Sequence, residues 1–243
     1  MRLLFIRHGD PDYKTDSLTD KGMREAELLA DRISKTHIDE YYVSPLGRAR
    51  KTAEIAIKDP TIKPVTLDWI QEFMPQIVRP DSPERTHISW DWLPQDWTER
   101  EHFYRYDDWF NDNIMNAADV KGHAAHVWDE LDKFLAAHGY ERDKHFYRAV
   151  RPNNDTIALF CHFGVTALML SHLIGASTMV LWHGMISAPT SVTTVYTEER
   201  RPGIASFRIT SFGDISHLYI ADEPPAFSGR FCECYTNENE RRD

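Results

Sequence analysis

Four side chains with the chemistry to bind and attack an anionic group each follow an apolar segment of the chain. Arg7 and His8 end the first apolar run, Arg48 comes shortly after the second, and His162 ends a third run in the second half. A guanidinium group presents a planar fork that matches phosphate oxygens, and a neutral imidazole can attack phosphorus. Brought together, these residues would form a compact cationic pocket suited to a tetrahedral dianion and to phosphoryl transfer.

Such a reaction also needs a carboxyl group that protonates the leaving oxygen. Glu72 is the candidate, because it follows a short predicted strand and can face the same sheet edge as the cationic residues. Asp10 and Asp12, close to His8, could take over this role, as could a carboxylate in residues 73–126. The residues alone therefore leave the proton donor open.

Strands and helices in alternation must position these residues. Residues 3–6 are continuously apolar, which predicts a strand covered on both faces, and Gly9 allows a sharp turn just after it. In an open α/β sheet, ligands bind at the edge formed by the carboxyl ends of the strands. Hydrophobic spacing predicts helices over residues 18–36, 46–57, 127–137 and 165–174.

Further strands are predicted around this first one, over residues 41–43, 64–67, 155–161, 191–196 and 218–220. Residues 204–210 alternate strictly between apolar and polar side chains, which predicts an antiparallel strand with one solvated face. Residues 140–154 read as an exposed, charged loop. The predicted fold class is α/β, with three α/β/α layers and a mostly parallel central sheet.

Residues 73–126 lack a regular hydrophobic period and predict an inserted cap. They hold four of the seven tryptophans, and ten acidic against five basic residues. The aromatic side chains could form a small core of their own or line a substrate pocket. If the carboxylates face the site, they would repel extra anionic groups, which favours a substrate whose alcohol portion is neutral, cationic or aromatic.

Composition restricts the other classes of function. The formal charge of −10 argues against general binding to nucleic acid or to an anionic membrane surface. Three cysteines without a C-x-x-C spacing, and no signal peptide, predict a reduced, cytoplasmic protein. No metal-binding spacing such as H-E-x-x-H appears, so no metal is expected. We interpret residues 1–243 as one domain with a polar tail, residues 224–243; the sequence does not fix the oligomeric state, and a homodimer is compatible with it.

Four motifs in this order resemble the histidine phosphatase superfamily, also called the phosphoglycerate mutase-like family. Residues 7–9 match its Arg-His-Gly signature, and residues 18–26 match Leu-Thr-x-x-Gly-x-x-x-Ala. Residues 44–53 match Ser-Pro-Leu-x-Arg-Ala-x-x-Thr-Ala, and residues 162–164 match the second His-x-Gly. The resemblance implies a phosphoglycerate mutase-like fold.

By the same resemblance, His8 is the nucleophile and becomes phosphohistidine. Arg7, Arg48 and His162 would hold the phosphate, and Glu72 would donate the proton. The implied enzyme is a histidine acid-type phosphatase that hydrolyses a small phosphomonoester without a metal or other cofactor. A small phosphorylated molecule is then its expected partner.

Departures from the family pattern bear on the reaction. The chain reads Asp10-Pro11-Asp12 where many members have Glu-Thr or Gln-Ser, and residues 72–76 lack the Glu-Arg-His-Tyr-Gly of the sugar-phosphate mutases. Hydrolysis is therefore favoured over mutase-type transfer, which stays the alternative. A non-catalytic, phospholigand-binding scaffold would predict loss of Arg7 or His8, and both are present. His183 is interpreted as a structural or exposed loop residue outside the site.

Overall fold

The computed structural model describes residues 1–242. Its strands are β1 (Arg2–Arg7), β2 (Pro11–Asp12), β3 (Ser17–Leu18), β4 (Glu40–Val43), β5 (Val65–Thr66), β6 (Gln76–Ile77), β7 (His87–Ile88), β8 (Tyr140–Asp143), β9 (Phe146–Ala149), β10 (Thr156–Cys161), β11 (Val192–Arg201) and β12 (Ile204–Asp214). Its α-helices are α1 (Asp20–Ile33), α2 (Gly47–Ala56), α3 (Pro94–Thr98), α4 (Asn113–Ala117), α5 (Val120–Ala137), α6 (Phe163–Ile174), α7 (Thr178–Gly184) and α8 (Ser216–Ile220). Short 3₁₀ helices cover Asp68–Ile70, Glu101–Tyr104 and Trp109–Asn111.

The central sheet, as far as the described residues show it, has eight strands in the order β5-β4-β10-β1-β11-β12-β9-β8. Neighbours from β5 to β1 pair in parallel, and neighbours from β1 to β8 pair antiparallel. It follows from these pairings that β11 and β9 run against β1 and that the five other strands share its direction. The predicted mostly parallel sheet is confirmed.

The two faces of β1 belong to two separate hydrophobic layers. Leu3 and Phe5 pack in one core cluster with side chains of α5 and α6. Leu4 and Ile6 pack in the other with side chains of α1 and α2. Burying each such side chain stabilises the fold by about 1.5–3 kcal/mol. Because helices cover both faces, the continuous apolar run is required, and the predicted three-layer α/β/α arrangement is confirmed.

Helix α1 begins at Asp20 instead of residue 18, because Leu18 pairs with Pro11 in a small β2–β3 ribbon. Thr19 caps the helix by accepting the backbone N–H of Gly22 at 3.0 Å. The apolar face of the helix is buried as its spacing predicts. In the described part of the chain, no helix has both the length and the apolar character needed to cross a membrane.

The inserted segment is built from the short elements β6, β7, α3 and α4 rather than from one long helix. Its predicted end at residue 126 is wrong, because α5 starts at Val120 after the N-cap Asp119. Phe103 and Trp109 are fully buried and join the larger core cluster. These aromatic side chains therefore fasten the insertion to the main domain.

Two other predictions are wrong. Residues 140–149 form the hairpin β8–β9, which extends the sheet by pairing Tyr147 with Ala205 of β12. Residues 218–220 belong to helix α8, in which Leu218 is buried while Ile220 is exposed. So short an apolar run does not distinguish a strand from a helix, and its tertiary contacts decide.

Candidate active site

One large cavity opens at the carboxyl ends of β1 and β10. Arg7, His8, Arg48 and Glu72 line it. His162 lies beside His8, with 5.1 Å between the ring centroids. The fold thus brings together all five residues proposed from the sequence. It does so by the expected route, since Arg7 pairs with Cys161, the residue before His162, in the parallel register of β1 and β10.

The His8 ring has a defined tautomer. Its Nδ1 lies 2.7 Å from the carbonyl oxygen of Gly9 and must donate to it, because a carbonyl oxygen only accepts. Nε2 then carries a lone pair, and within residues 1–242 it has no hydrogen-bond partner. Burial, with the nearby charges of Arg7 and Arg48, holds the pKa of His8 well below 6.5. His8 is therefore neutral at physiological pH, the form in which imidazole is a nucleophile.

His162 is fully buried and also neutral. Its Nε2 lies 2.8 Å from Oγ of Ser44, at the end of the neighbouring strand β4. Burial first, then His8 and the two arginines, lowers its pKa well below 6.5. Its Nδ1 is buried with no partner in the part of the chain described. An unpaired buried ring nitrogen is costly. In the tautomer in which Nε2 accepts from the Ser44 hydroxyl, Nδ1 carries the proton and can donate it to a phosphate oxygen.

The two arginines supply buried positive charge. Arg7 is 6% exposed, and its Nη1 donates to the carbonyl oxygens of Ser187 and, at 3.2 Å, Ser228. Arg48 is 9% exposed and lies in the first turn of α2. The Nε atoms of both are buried without a described partner. Burial lowers the pKa of Arg7. Two incompletely paired cations at one place favour an anionic ligand.

Asp16 is a site residue that the sequence did not reveal. Its carboxylate accepts the backbone N–H of Gly47 and Nη1 of Arg48, each at 2.6 Å. Its φ of +48° is left-handed, a conformation that Asp tolerates better than most residues. Asp16 therefore orients Arg48 and caps α2 from a loop whose only sequence signal was its richness in Pro and Asp.

The carboxylate of Glu72 sits at the amino end of α6. Its Oε1 accepts the N–H groups of Phe73 at 2.8 Å and Val165 at 3.0 Å, and Oε2 accepts that of Gly164 at 3.3 Å. Burial raises the pKa of Glu72, although these N–H groups and Arg7 oppose the rise. A carboxyl with a raised pKa keeps its proton to higher pH, as a proton donor requires.

Two motif glycines lie where other groups approach the backbone closely. A Cβ on Gly9 would lie 2.6 Å from the carbonyl oxygen of Gly22, so the Arg-His-Gly turn packs directly on the start of α1. A Cβ on Gly164 would lie 2.6 Å from Nε1 of Trp90 and 2.7 Å from Oε1 of Glu72. A side chain at Gly9 would push the Arg-His-Gly turn away from α1, and one at Gly164 would displace Glu72 or Trp90.

The cavity has a volume of about 1420 Å³. Trp90, Trp92 and Trp97 of the insertion line it, so the aromatic residues of residues 73–126 serve both the core and the pocket. Among the carboxylates of that segment, only Asp91 is in the described lining. Among the described residues, Asp91 alone therefore meets the condition for the expected repulsion, that carboxylates of the cap face the site.

His183 belongs to the cavity wall, contrary to the sequence interpretation. It lies in α7 instead of a loop, and its ring stacks on Trp97 with 5.0 Å between centroids. Its Nδ1 donates to the carbonyl oxygen of Met179 at 2.7 Å. Burial lowers its pKa to about 4, so the ring is neutral and acts as a flat wall. No local pattern distinguished this histidine from an exposed one.

Comparisons with known proteins identify the family of this chain. A model of the histidine phosphatase superfamily (branch 1) matches residues 3–210. The chain belongs to this superfamily. An adenosylcobalamin/alpha-ribazole phosphatase of Escherichia coli (strain K12) is 23% identical over 193 residues, which cover 75% of this chain and 84% of that protein. Phosphoserine phosphatase 1 of Hydrogenobacter thermophilus is 26% identical over 223 residues, which cover 86% of this chain and 93% of the other.

Solved structures share the fold. A phosphoserine phosphatase mutant from Entamoeba histolytica, solved in complex with phosphoserine, has a TM-score of 0.56 at 20% identity, covering 89% of this chain and 98% of the other.

A probable phosphoglycerate mutase of Serratia proteamaculans is 30% identical over 89 residues, which cover 30% of this chain and 41% of that protein. The comparisons thus support a hydrolase that acts on phosphate esters, in a family that also contains mutases.

Proposed function

We propose that this chain is a metal-independent, histidine acid-type phosphatase that hydrolyses a small phosphomonoester through a phosphohistidine on His8. The observation that carries the proposal is the tautomer of His8. Donation from Nδ1 to Gly9 leaves the Nε2 lone pair available beside Arg7, Arg48 and His162. Together these groups supply a nucleophile and positive charge for the transferring phosphoryl group without a metal ion.

In the first step, the lone pair of His8 Nε2 attacks phosphorus in line with the leaving oxygen. A P–N bond forms and the P–O bond to the alcohol breaks, and the electron pair of that bond goes to the departing oxygen. Glu72 gives its proton to this oxygen, so the alcohol leaves neutral. Arg7 and Arg48 stabilise the charge on the three equatorial oxygens, and so does His162 in the tautomer whose proton is on Nδ1, with Nε2 accepting from the Ser44 hydroxyl.

In the second step, Glu72 has become a carboxylate and takes a proton from a water molecule. The water oxygen bonds to phosphorus, the P–N bond breaks, and its electron pair returns to Nε2 of His8. Inorganic phosphate leaves, and the neutral imidazole and protonated carboxyl are restored. Asp16 keeps Arg48 aimed at the phosphate throughout.

The three cysteines are free thiols in the structure. This supports the further proposal that the enzyme works in a reducing compartment, the cytoplasm.

Trapping the intermediate tests the mechanism. Rapid quenching with a ³²P-labelled phosphomonoester is expected to yield protein label that is stable to alkali and labile to acid, as a phosphoramidate is, and none in His8→Ala. Activity is expected to survive a metal chelator and to be inhibited by vanadate. Label on His8 that passes to a second alcohol and not to water would establish the mutase alternative, and turnover by His8→Ala above a few per cent would refute nucleophilic catalysis by His8.

A further inference from the structure

Residues 224–242, here called the C-terminal wall, contact residues of the candidate active site. Glu25 is fully buried and accepts the N–H of Ala226 at 2.8 Å and that of Asp10 at 3.2 Å. Nη1 of Arg7 donates to the carbonyl oxygen of Ser228 at 3.2 Å. One buried carboxylate thus joins the C-terminal wall to the loop that follows the nucleophile.

Gly229 lies directly over the guanidinium group of Arg7. A Cβ on it would be 3.2 Å from both Nη1 and Nη2 of Arg7, and its φ of +89° also favours glycine. The backbone at Gly229 therefore passes close to the guanidinium group of Arg7. The side chains that follow Gly229 enter the cavity lining next to this point.

The C-terminal wall adds three arginines to the lining of the cavity, namely Arg230, Arg241 and Arg242. Arg230 forms a 2.6 Å ion pair with the exposed Glu233. Within residues 1–242, Arg241 and Arg242 have no ion-pair partner. Their guanidinium groups lie over aromatic rings, 4.1 Å from the centroid of Phe231 and 4.8 Å from that of Tyr235. The rings hold the cations in place and leave their N–H edges for a ligand.

The three arginines of the C-terminal wall are not needed to bind the reacting phosphate, because the proposed mechanism assigns that role to Arg7, Arg48 and His162. The cavity, at about 1420 Å³, is also larger than the ~300–1000 Å³ typical of small-ligand pockets. Indole rings of Trp90 and Trp97 line the same space. The lining therefore suits a long substrate with a flat or apolar portion and a second negative group.

We propose that Arg241 and Arg242, with Arg230, form a second anion site that binds an oxyanion on the alcohol portion of the substrate. The proposal rests on the proposed phosphatase function and names its substrate class, a phosphomonoester that also bears a carboxylate or a second phosphoryl-type group. This substrate class is the opposite of the one expected from the net charge of residues 73–126, which favoured a neutral, cationic or aromatic alcohol portion.

Three matched substrates test the second site: phenyl phosphate, 4-(carboxymethyl)phenyl phosphate and 4-(phosphonomethyl)phenyl phosphate. The measured quantity is the ratio of kcat/KM for each anionic substrate to that for phenyl phosphate. The wild-type ratio is expected to exceed one, and the double variant R241Q/R242Q is expected to lower it by about 10- to 100-fold, as charge-assisted hydrogen bonds predict. Comparing the carboxylate with the phosphonate shows which oxyanion the site prefers.

R200Q/R201Q is the matched control, because it removes two exposed arginines that do not line the cavity; its ratios should equal those of the wild type. Arg230→Gln gives a second, single-charge test if the double variant does not fold. A wild-type ratio of one or less, or equal ratios in wild type and R241Q/R242Q, would overturn the second anion site. No hydrolysis of any of the three substrates would instead overturn the phosphatase function.

Discussion

Replacing Glu72 with glutamine removes the proposed proton donor while keeping the size and shape of the side chain. Oε1 of Glu72 accepts N–H groups of Phe73 and Val165, and the carbonyl oxygen of glutamine can keep both bonds. The new amide nitrogen then faces the N–H of Gly164, which makes the longest of the three bonds, at 3.3 Å. The variant therefore separates proton donation from the structural role of this side chain.

The expected loss depends on the leaving group. General acid catalysis by a positioned side chain contributes about 10²- to 10⁴-fold, so kcat/KM for an alkyl phosphate should fall by about 10²- to 10³-fold. A p-nitrophenolate ion is a weak base that leaves without protonation, so its phosphate ester should lose less than about tenfold.

The pH dependence follows from the raised pKa of Glu72. The wild-type enzyme holds the proton to higher pH than an ordinary glutamate does, and alkyl phosphate hydrolysis declines as pH rises through the raised pKa. This decline should be absent in the variant, which has no proton to lose at this position.

The assay is steady-state phosphate release across a series of leaving groups, measured from pH 4.5 to 8.5. Glu99→Gln is the matched control, because Glu99 is an exposed carboxylate of the insertion outside the cavity lining. Equal losses for alkyl and p-nitrophenyl esters would refute the assignment of Glu72 as proton donor. Unchanged alkyl phosphate hydrolysis would transfer the role to another carboxylate of the lining, with Asp10 the next candidate.

Three further predictions follow from the site. Asp16→Asn weakens the charged contact to Arg48 and should raise KM by about tenfold or more at similar unfolding temperature; an unchanged KM would mean that Arg48 needs no such support. Gly164→Ala should lose activity and about 1–3 kcal/mol of unfolding free energy in urea titration, because its Cβ overlaps Oε1 of Glu72; full activity would contradict the close approach. The pKa values of the buried His8 and His162 rings lie well below 6.5. The unfolded chain therefore binds more protons below pH 6.5, and unfolding free energy should fall by up to about 1.4 kcal/mol per pH unit for each ring as pH drops further; His8→Ala should flatten that slope.

The sequence by itself determined at which edge of the sheet the candidate active site lies. Residues 3–6 and 157–161 are apolar without interruption, and a histidine follows each run, after Arg7 in the first and directly in the second. A continuous apolar run predicts a strand buried on both faces, and parallel strands place their carboxyl ends at one edge. These local patterns place His8 and His162 at the same sheet edge, and the pairing of β1 with β10 makes them neighbours.

Sequence patterns that are shorter than a helix or strand, or that lack a regular hydrophobic period, determined less of the fold. Residues 218–220 and 140–149 were assigned wrongly because an isolated strand, hairpin or single-turn helix depends on the surface that it packs against. Tyr147 is buried because β12 offers an edge to β9, and no residue near it in sequence indicates that edge.

Only the tertiary structure decided which charges face the substrate. Asp16 orients Arg48 across 32 positions of sequence, and Ser228 reaches Arg7 across 221. The acidic excess of residues 73–126 was visible in the sequence, but a count of charges carries no direction. The chain turns most of those carboxylates away from the cavity and folds the arginines of its polar tail toward it. Composition determines how much charge a segment carries, whereas contacts between distant segments determine where that charge points.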